Sequence, residues 1–186
     1  MHPNYENLNI TTYPLIDKVE DIIATWPNKK TSGLLSTAQH LSPELLSVFS
    51  DANIIVDSGF MLMNLDLTEA PPMPITGGNY EDIAQHRSGR IAWNFTLDTS
   101  VAFYEKGSST PEFQPPTLKY PYRSLTKWTG ATTQVDLWTG AGPVLMNPQI
   151  PHLPTSLGNK HIVVTLGFKD ETYDTLRTKL AAYIIT

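Results

Sequence analysis

The spacing of apolar residues along this chain is helical at both ends and alternating in between. Leu15, Ile16, Val19, Ile22, Ile23 and Trp26 recur at helical spacing behind Pro14, and Pro27 stops the run, which predicts an amphipathic helix. Ser42-Pro43-Glu44 reads as a second helix start, with Ser42 as N-cap and Pro43 at the first helical position. Leu45, Leu46 and Phe49 then face inward. Near the C-terminus Asp170 is expected to open a third helix, with Tyr173, Leu176, Leu180 and Tyr183 or Ile184 as its apolar stripe. Between these helices the segments 52–56, 59–67, 90–97, 101–105, 132–138, 144–147 and 161–168 read as strands. They are rich in Val, Ile, Phe, Trp and Thr, and Pro, Gly, Asn or Asp separates most of them. Two proline-rich stretches, 69–81 and 107–122, read as long irregular loops of the kind that often carry function.

The expected architecture is therefore mainly β, a sandwich or jelly roll with flanking α-helices. With 186 residues and no linker or internal repeat, the chain is expected to be a single domain. Its N-terminal helices would fall at about 14–50, its β core at about 52–168 and its C-terminal helix at about 170–184.

Composition narrows the function classes. Hydrophobic residues make up 40% and charged residues 17%, as in a globular protein. A formal charge of −5 without clustered Lys and Arg argues against a nucleic-acid surface. The absence of cysteine excludes disulfides, thiolate zinc sites and cysteine nucleophiles. No stretch approaches the ~20 apolar residues of a membrane span, so no membrane partner is expected. Residues 1–13 are polar and lack the apolar stretch of a signal peptide, and the expected location is cytoplasmic.

Candidate chemistry lies in two places. His86-Arg87-Ser88-Gly89 comes directly before the strand that begins at Arg90. Later, Asn147-Pro148-Gln149-Ile150-Pro151-His152 leads to a turn at Gly158-Asn159 and a strand that begins at His161. No Gly-x-Ser-x-Gly elbow surrounds Ser88, and Gly77-Gly78 and Gly140-Ala141-Gly142 have no Lys-Ser/Thr after them. A serine hydrolase and a phosphate-cradling loop are thereby disfavoured.

The order and spacing of these segments resemble the iron and 2-oxoglutarate dependent oxygenases, in particular the relatives of aspartyl/asparaginyl hydroxylases found in marine microbes and phages. That family carries His-x-Asp-Gly, then Arg and a strand containing Asn, then Phe-Tyr, then Asn-x-x-x-Pro-His before a strand of the form Arg-x-x-x-Ser. Asn94, Phe103-Tyr104 and the segment 147–152 occupy corresponding positions, and the resemblance spans roughly residues 53–168. It implies a double-stranded β-helix (jelly roll, cupin-like), Fe(II) and 2-oxoglutarate as cofactors, and a small-molecule or peptide substrate. It also implies His86 and His152 as metal ligands of a facial triad. The carboxylate position holds Ser88. The co-substrate position of the family arginine holds His161, with Thr165, Asn94, Tyr104 and Lys160 beside it.

Those two departures matter chemically. A serine hydroxyl lacks the carboxylate's charge, and an imidazole cannot reproduce a bidentate guanidinium pair. Glu81 or Asp82 could supply a carboxylate, Lys160 a positive charge, and a halide could fill the position beside Ser88. His86 also fits a solvated turn and His152 a strand-end residue bonded to backbone. Trp93, Trp128 and Trp138 fit either a core or a groove for sugar or peptide. Two readings thus stand: an oxygenase-like enzyme, or a non-catalytic jelly-roll binding or structural protein of phage origin with a vestigial site.

Alternation adds a geometric expectation. Ala92, Asn94 and Thr96 should share a face with one another, as should His161, Val163, Thr165 and Gly167. These faces should look into the cavity, with Ile91, Trp93, Phe95 and Leu97, and Ile162, Val164, Leu166 and Phe168, under the helices. If His86 and His152 shared a metal, their rings would lie within roughly 3–4 Å of each other.

Overall fold

The computed structural model describes residues 4–10, 30–35, 41–64, 90–94, 99–105, 107–108, 110–114, 125–140, 142–156, 161–168 and 170–186. In chain order the elements are β1 (Tyr5–Asn7), β2 (Lys30–Leu35), α1 (Pro43–Asp51), β3 (Val56–Asn64), β4 (Arg90–Asn94) and β5 (Thr99–Glu105). They continue with β6 (Thr110–Gln114), β7 (Leu125–Thr129), β8 (Thr133–Thr139), β9 (Val144–Met146), β10 (His152–Ser156), β11 (His161–Phe168) and α2 (Tyr173–Lys179). A single 3₁₀ turn, Ala181–Tyr183, follows. The described chain is mainly β.

Six strands form one sheet in the order β1-β9-β4-β11-β3-β2, three form a second in the order β10-β5-β8, and β6 and β7 form a hairpin. Every pairing is antiparallel. The pairs are nested: β3 meets β11, β4 meets β9, and β5 meets β8. Two further pairings, β4 with β11 and β5 with β10, stitch the nested pairs together.

Two apolar clusters flank the large sheet. Ile91, Leu145, Leu166 and Phe168 join Leu45 and Phe49 of α1 and Tyr173 and Leu176 of α2 on its helix side. On the other side Val144 and Met146 meet Val101, Phe103 and Trp138 of the three-stranded sheet, with Tyr5, Ile150 and Val163 packed against them. Alternation along β11 assigns its faces as expected: Leu166 and Phe168 are buried in the helix-side cluster, whereas Val163 packs between the sheets.

The helix boundaries follow from their caps. Ser42 Oγ accepts a hydrogen bond from Leu45 N at 3.1 Å, and Pro43 occupies the first turn. Thr172 caps α2 in a reciprocal arrangement with Thr175, so this helix starts at Tyr173 instead of Asp170. Asp170 has φ 58, a left-handed conformation that breaks the backbone before the helix, and α2 ends at Lys179 rather than near 184. Lys179 Nζ donates to Asn53 O at 2.9 Å and pairs with the buried Glu171, which ties α2 to the end of α1.

Four further expectations change. The stretch 52–56 is not a strand, because Ala52 caps α1 and Asn53 turns the chain with φ 52; β3 then runs unbroken from Val56 through Gly59 to Asn64. The N-terminal region expected to be helical over about 14–50 contains β2, which pairs with β3 along its whole length; the helix expected over 15–26 lies outside the described residues. The stretch 107–122, expected as a loop, contains β6. Pro111 is accommodated because, among the described residues, β6 has a partner on one side only, and on its other side a missing N–H costs little. Finally, β10 was not expected after His152; its Pro154 likewise sits on an edge strand of the described sheet. No helix among the described residues is long and apolar enough to cross a membrane.

Candidate functional site

His152 is the first residue of β10 and stands opposite Phe103 on β5. Phe103 in turn stands opposite Asp136 on β8. Because strand side chains alternate, residues opposite one another share a face, so this row faces the large sheet together with the buried Phe103. His152 is itself buried, with 8% of its surface exposed.

The approach to His152 is shaped by backbone bonds. Asn147 Oδ1 accepts from Gln149 N at 3.0 Å, and Asn147 O accepts from Ile150 N at 3.3 Å, so the chain turns tightly past Pro148. Tyr104 N then donates to Pro151 O at 2.8 Å and carries the chain into β10. His152 Nδ1 lies 2.8 Å from Ile150 O. A carbonyl oxygen only accepts, so Nδ1 carries a proton, and in the neutral ring Nε2 is the lone-pair nitrogen. Metal-bound histidines commonly have one ring nitrogen tied to a backbone carbonyl in this way.

An aromatic stack lies behind the imidazole. The His152 and Phe103 ring centroids are 6.3 Å apart and tilted by 43°. Tyr5 stacks on Phe103 at 5.7 Å with an interplanar angle of 19°. Tyr5 belongs to β1, at the edge of the six-stranded sheet, where it pairs with Met146. Two side-chain bonds join this segment to β8 of the other sheet: Asn4 Nδ2 to Asp136 Oδ2 at 3.0 Å, and Trp138 Nε1 to Asn7 Oδ1 at 2.8 Å. Burial, and secondarily the charge of Asp136, push the Tyr5 phenol above its ordinary pKa.

The other expected site residues divide by position. Thr165 is half-buried on β11 and stands between Phe60 and Ala92 of the neighbouring strands. Asn94 ends β4 opposite Val163, and His161 starts β11 opposite Asn64, so register brings these strand positions onto adjacent parts of one sheet. Tyr104 sits at a register shift in the pairing of β5 with β8, half-buried. His86, Ser88, Lys160, Glu81 and Asp82 lie outside the described residues, and so does the separation of His86 from His152. Among the described residues, no group of three His, Asp or Glu side chains is arranged to hold a metal ion. Trp128 and Trp138 are buried, which makes them core rather than the lining of an open groove.

Asp136, Asn4 and Tyr5 were not singled out from sequence. The pattern over 133–139 misleads, since Val135 and Leu137 look like the inward positions yet are 47% and 46% exposed. Trp138 and Asp136 take the inner face instead. The faint signal was Trp138 itself, the largest apolar residue of the stretch and of the same parity as Asp136.

A scan against protein-family models finds no match to this chain, and a search of curated proteins finds none either.

Proposed function

We propose that this chain is a double-stranded β-helix protein of the iron and 2-oxoglutarate dependent oxygenase type, a hydroxylase with an altered metal and co-substrate site. The observation that carries this reading is His152. A buried imidazole starts a strand of the smaller sheet, on the face turned to the larger one, with its Nδ1 tied to Ile150 O at 2.8 Å. A neutral ring held in that tautomer has the donor chemistry of a metal ligand. The nested pairing of β3 with β11, β4 with β9 and β5 with β8 supports the jelly-roll reading, because a folded-back antiparallel ribbon produces that nesting.

In this reading His86 and His152 hold the metal, and His161, Thr165, Asn94, Tyr104 and Lys160 surround the co-substrate. Ferrous iron and 2-oxoglutarate, when bound, supply the oxidation of a C–H bond by oxygen. The chain's own contribution is to orient His152 through Ile150, bury it among apolar side chains and limit water there. The test is metal binding by the purified protein, with Fe(II) under nitrogen and Ni(II) as a stable surrogate. Binding is expected, with loss of about 10-fold or more in affinity in His152→Ala and in His86→Ala. Succinate release from 2-oxoglutarate should disappear in the same variants. Absence of binding by Fe(II), Ni(II) and Zn(II) alike would overturn the reading.

One specific observation favours a second reading, a non-catalytic jelly-roll binding or structural protein. Both charged anchors are replaced, the carboxylate by Ser88 and the guanidinium by His161. Under that reading, metal is not retained and His152→Ala changes only stability, by about 1 kcal/mol.

A further inference from the structure

We propose that Tyr5 and Phe103 are positioning residues for the His152 imidazole, so that the N-terminal strand of one sheet sets the ring orientation of a residue on the other. The inference rests on the reading of His152 as a metal ligand, but its geometry stands independently. Phe103 is wholly buried and is the direct register partner of His152 across β5 and β10. Its ring centroid lies 6.3 Å from that of the imidazole and 5.7 Å from that of Tyr5. In a close-packed interior a buried ring in contact with two others has few rotamers open to it, and it limits those of the imidazole packed against it.

Tyr5 can brace Phe103 because its own position is held from three directions. Its strand pairs with β9, Asn4 and Asn7 bond to Asp136 and Trp138 of β8, and Glu6 pairs with Arg177 of α2. Behind the strand, Ile185 N donates to Asn7 O at 2.9 Å. These contacts hold β1 against β8, β9 and α2, and so hold Tyr5 against Phe103. The hydrogen bond between Nδ1 and Ile150 O fixes one atom of the ring, and packing against Phe103 opposes rotation about that contact.

The test is ¹⁵N NMR of the metal-free full chain with labelled histidine, assigned through His152→Gln. Wild type should give the Nδ1-protonated tautomer for His152. Tyr5→Leu keeps apolar volume without a ring, Phe103→Leu removes the middle of the stack, and Tyr5→Phe retains the ring without the hydroxyl. The two leucine variants should give mixed tautomers or broadened His152 signals, and Tyr5→Phe should match wild type. Ni(II) affinity should then fall about 10-fold in the leucine variants and stay unchanged in Tyr5→Phe, as for other residues that orient a metal ligand. An Nδ1-protonated, sharp His152 signal in folded Tyr5→Leu and folded Phe103→Leu would overturn the proposal, and so would a change in Tyr5→Phe equal to theirs. Failure of wild type to bind Ni(II) would count against the metal site alone, because the tautomer readout needs no metal.

Discussion

The two faces of the six-stranded sheet are packed for different ends. On the helix side Leu45, Phe49, Ile91, Leu145, Leu166, Leu176 and Leu180 have no exposed surface, and the buried polar groups are the Tyr173 phenol and Glu171, the latter paired with Lys179 of α2. On the side facing the three-stranded sheet, the buried cluster is smaller and polar groups are built into its edges: His152 beside Phe103, Asn7 on Trp138 and Asn4 on Asp136. A predominantly apolar layer is sensitive chiefly to volume. A layer containing hydrogen-bonded polar groups specifies orientation, since each group left unpaired would cost more than its bond contributes. The first face holds the fold together, and the second is where a site can be oriented.

Substitutions can separate the two. The largest effect is expected for Leu45→Ala or Leu166→Ala, at about 2–5 kcal/mol of stability measured by urea unfolding. Neither should change the His152 tautomer or Ni(II) affinity in the fraction that remains folded. A change in the tautomer would mean that the faces are coupled. On the inner face, Trp138→Phe keeps a large ring but removes the donor to Asn7, with an expected loss of about 1 kcal/mol. Thr172→Ala removes the cap of α2 and should cost about 1 kcal/mol on the helix side, again without a metal-binding effect.

The smallest effect is expected at high pH. Burial, followed by the charge of Glu6, raises the Tyr173 phenol above its ordinary value of 10.0. The unfolded chain therefore releases this proton first as pH rises past 10.0, so the folded state loses stability in that direction and is unaffected below it. Tyr173→Phe should flatten the decline of unfolding free energy above pH 10.0 more than Tyr5→Phe does, since Tyr173 is buried and Tyr5 lies nearer solvent. Equal slopes in the two variants would remove this distinction between the faces.

How far the chain could be read beforehand depended on whether the governing interaction was local. Ser42 and Pro43 announce α1 because capping involves neighbours within one turn. Strand β11, 161–168, was legible to the residue, and the burial of Leu166 and Phe168 under the helices followed from alternation. His152 stood out through the motif that leads to it. Short-range propensity failed where a partner decided the outcome. Strand β2 exists through its pairing with β3, β6 through its pairing with β7, and β10 through its pairing with β5. The prolines of 107–122, Pro111 among them, argue for a loop because a sequence does not reveal which strands lie at an edge.

By itself, then, the sequence determined a mainly β protein with a capped helix at 43–51, a strand with one face for the helices and one for the interior, and histidines in a particular order. Periodicity and capping are properties of adjacent residues, and adjacent residues are present in the sequence. Only the tertiary structure decided that Asp136 and Trp138 would turn inward while Val135 and Leu137 stay exposed, because β8 could present either face until β5 fixed its register. Only the tertiary structure brought Tyr5 onto Phe103, 98 positions away in the numbering, and Phe103 onto His152. Contacts at that separation depend on how the two sheets close on one another, a free energy shared by the whole core rather than written at any one position.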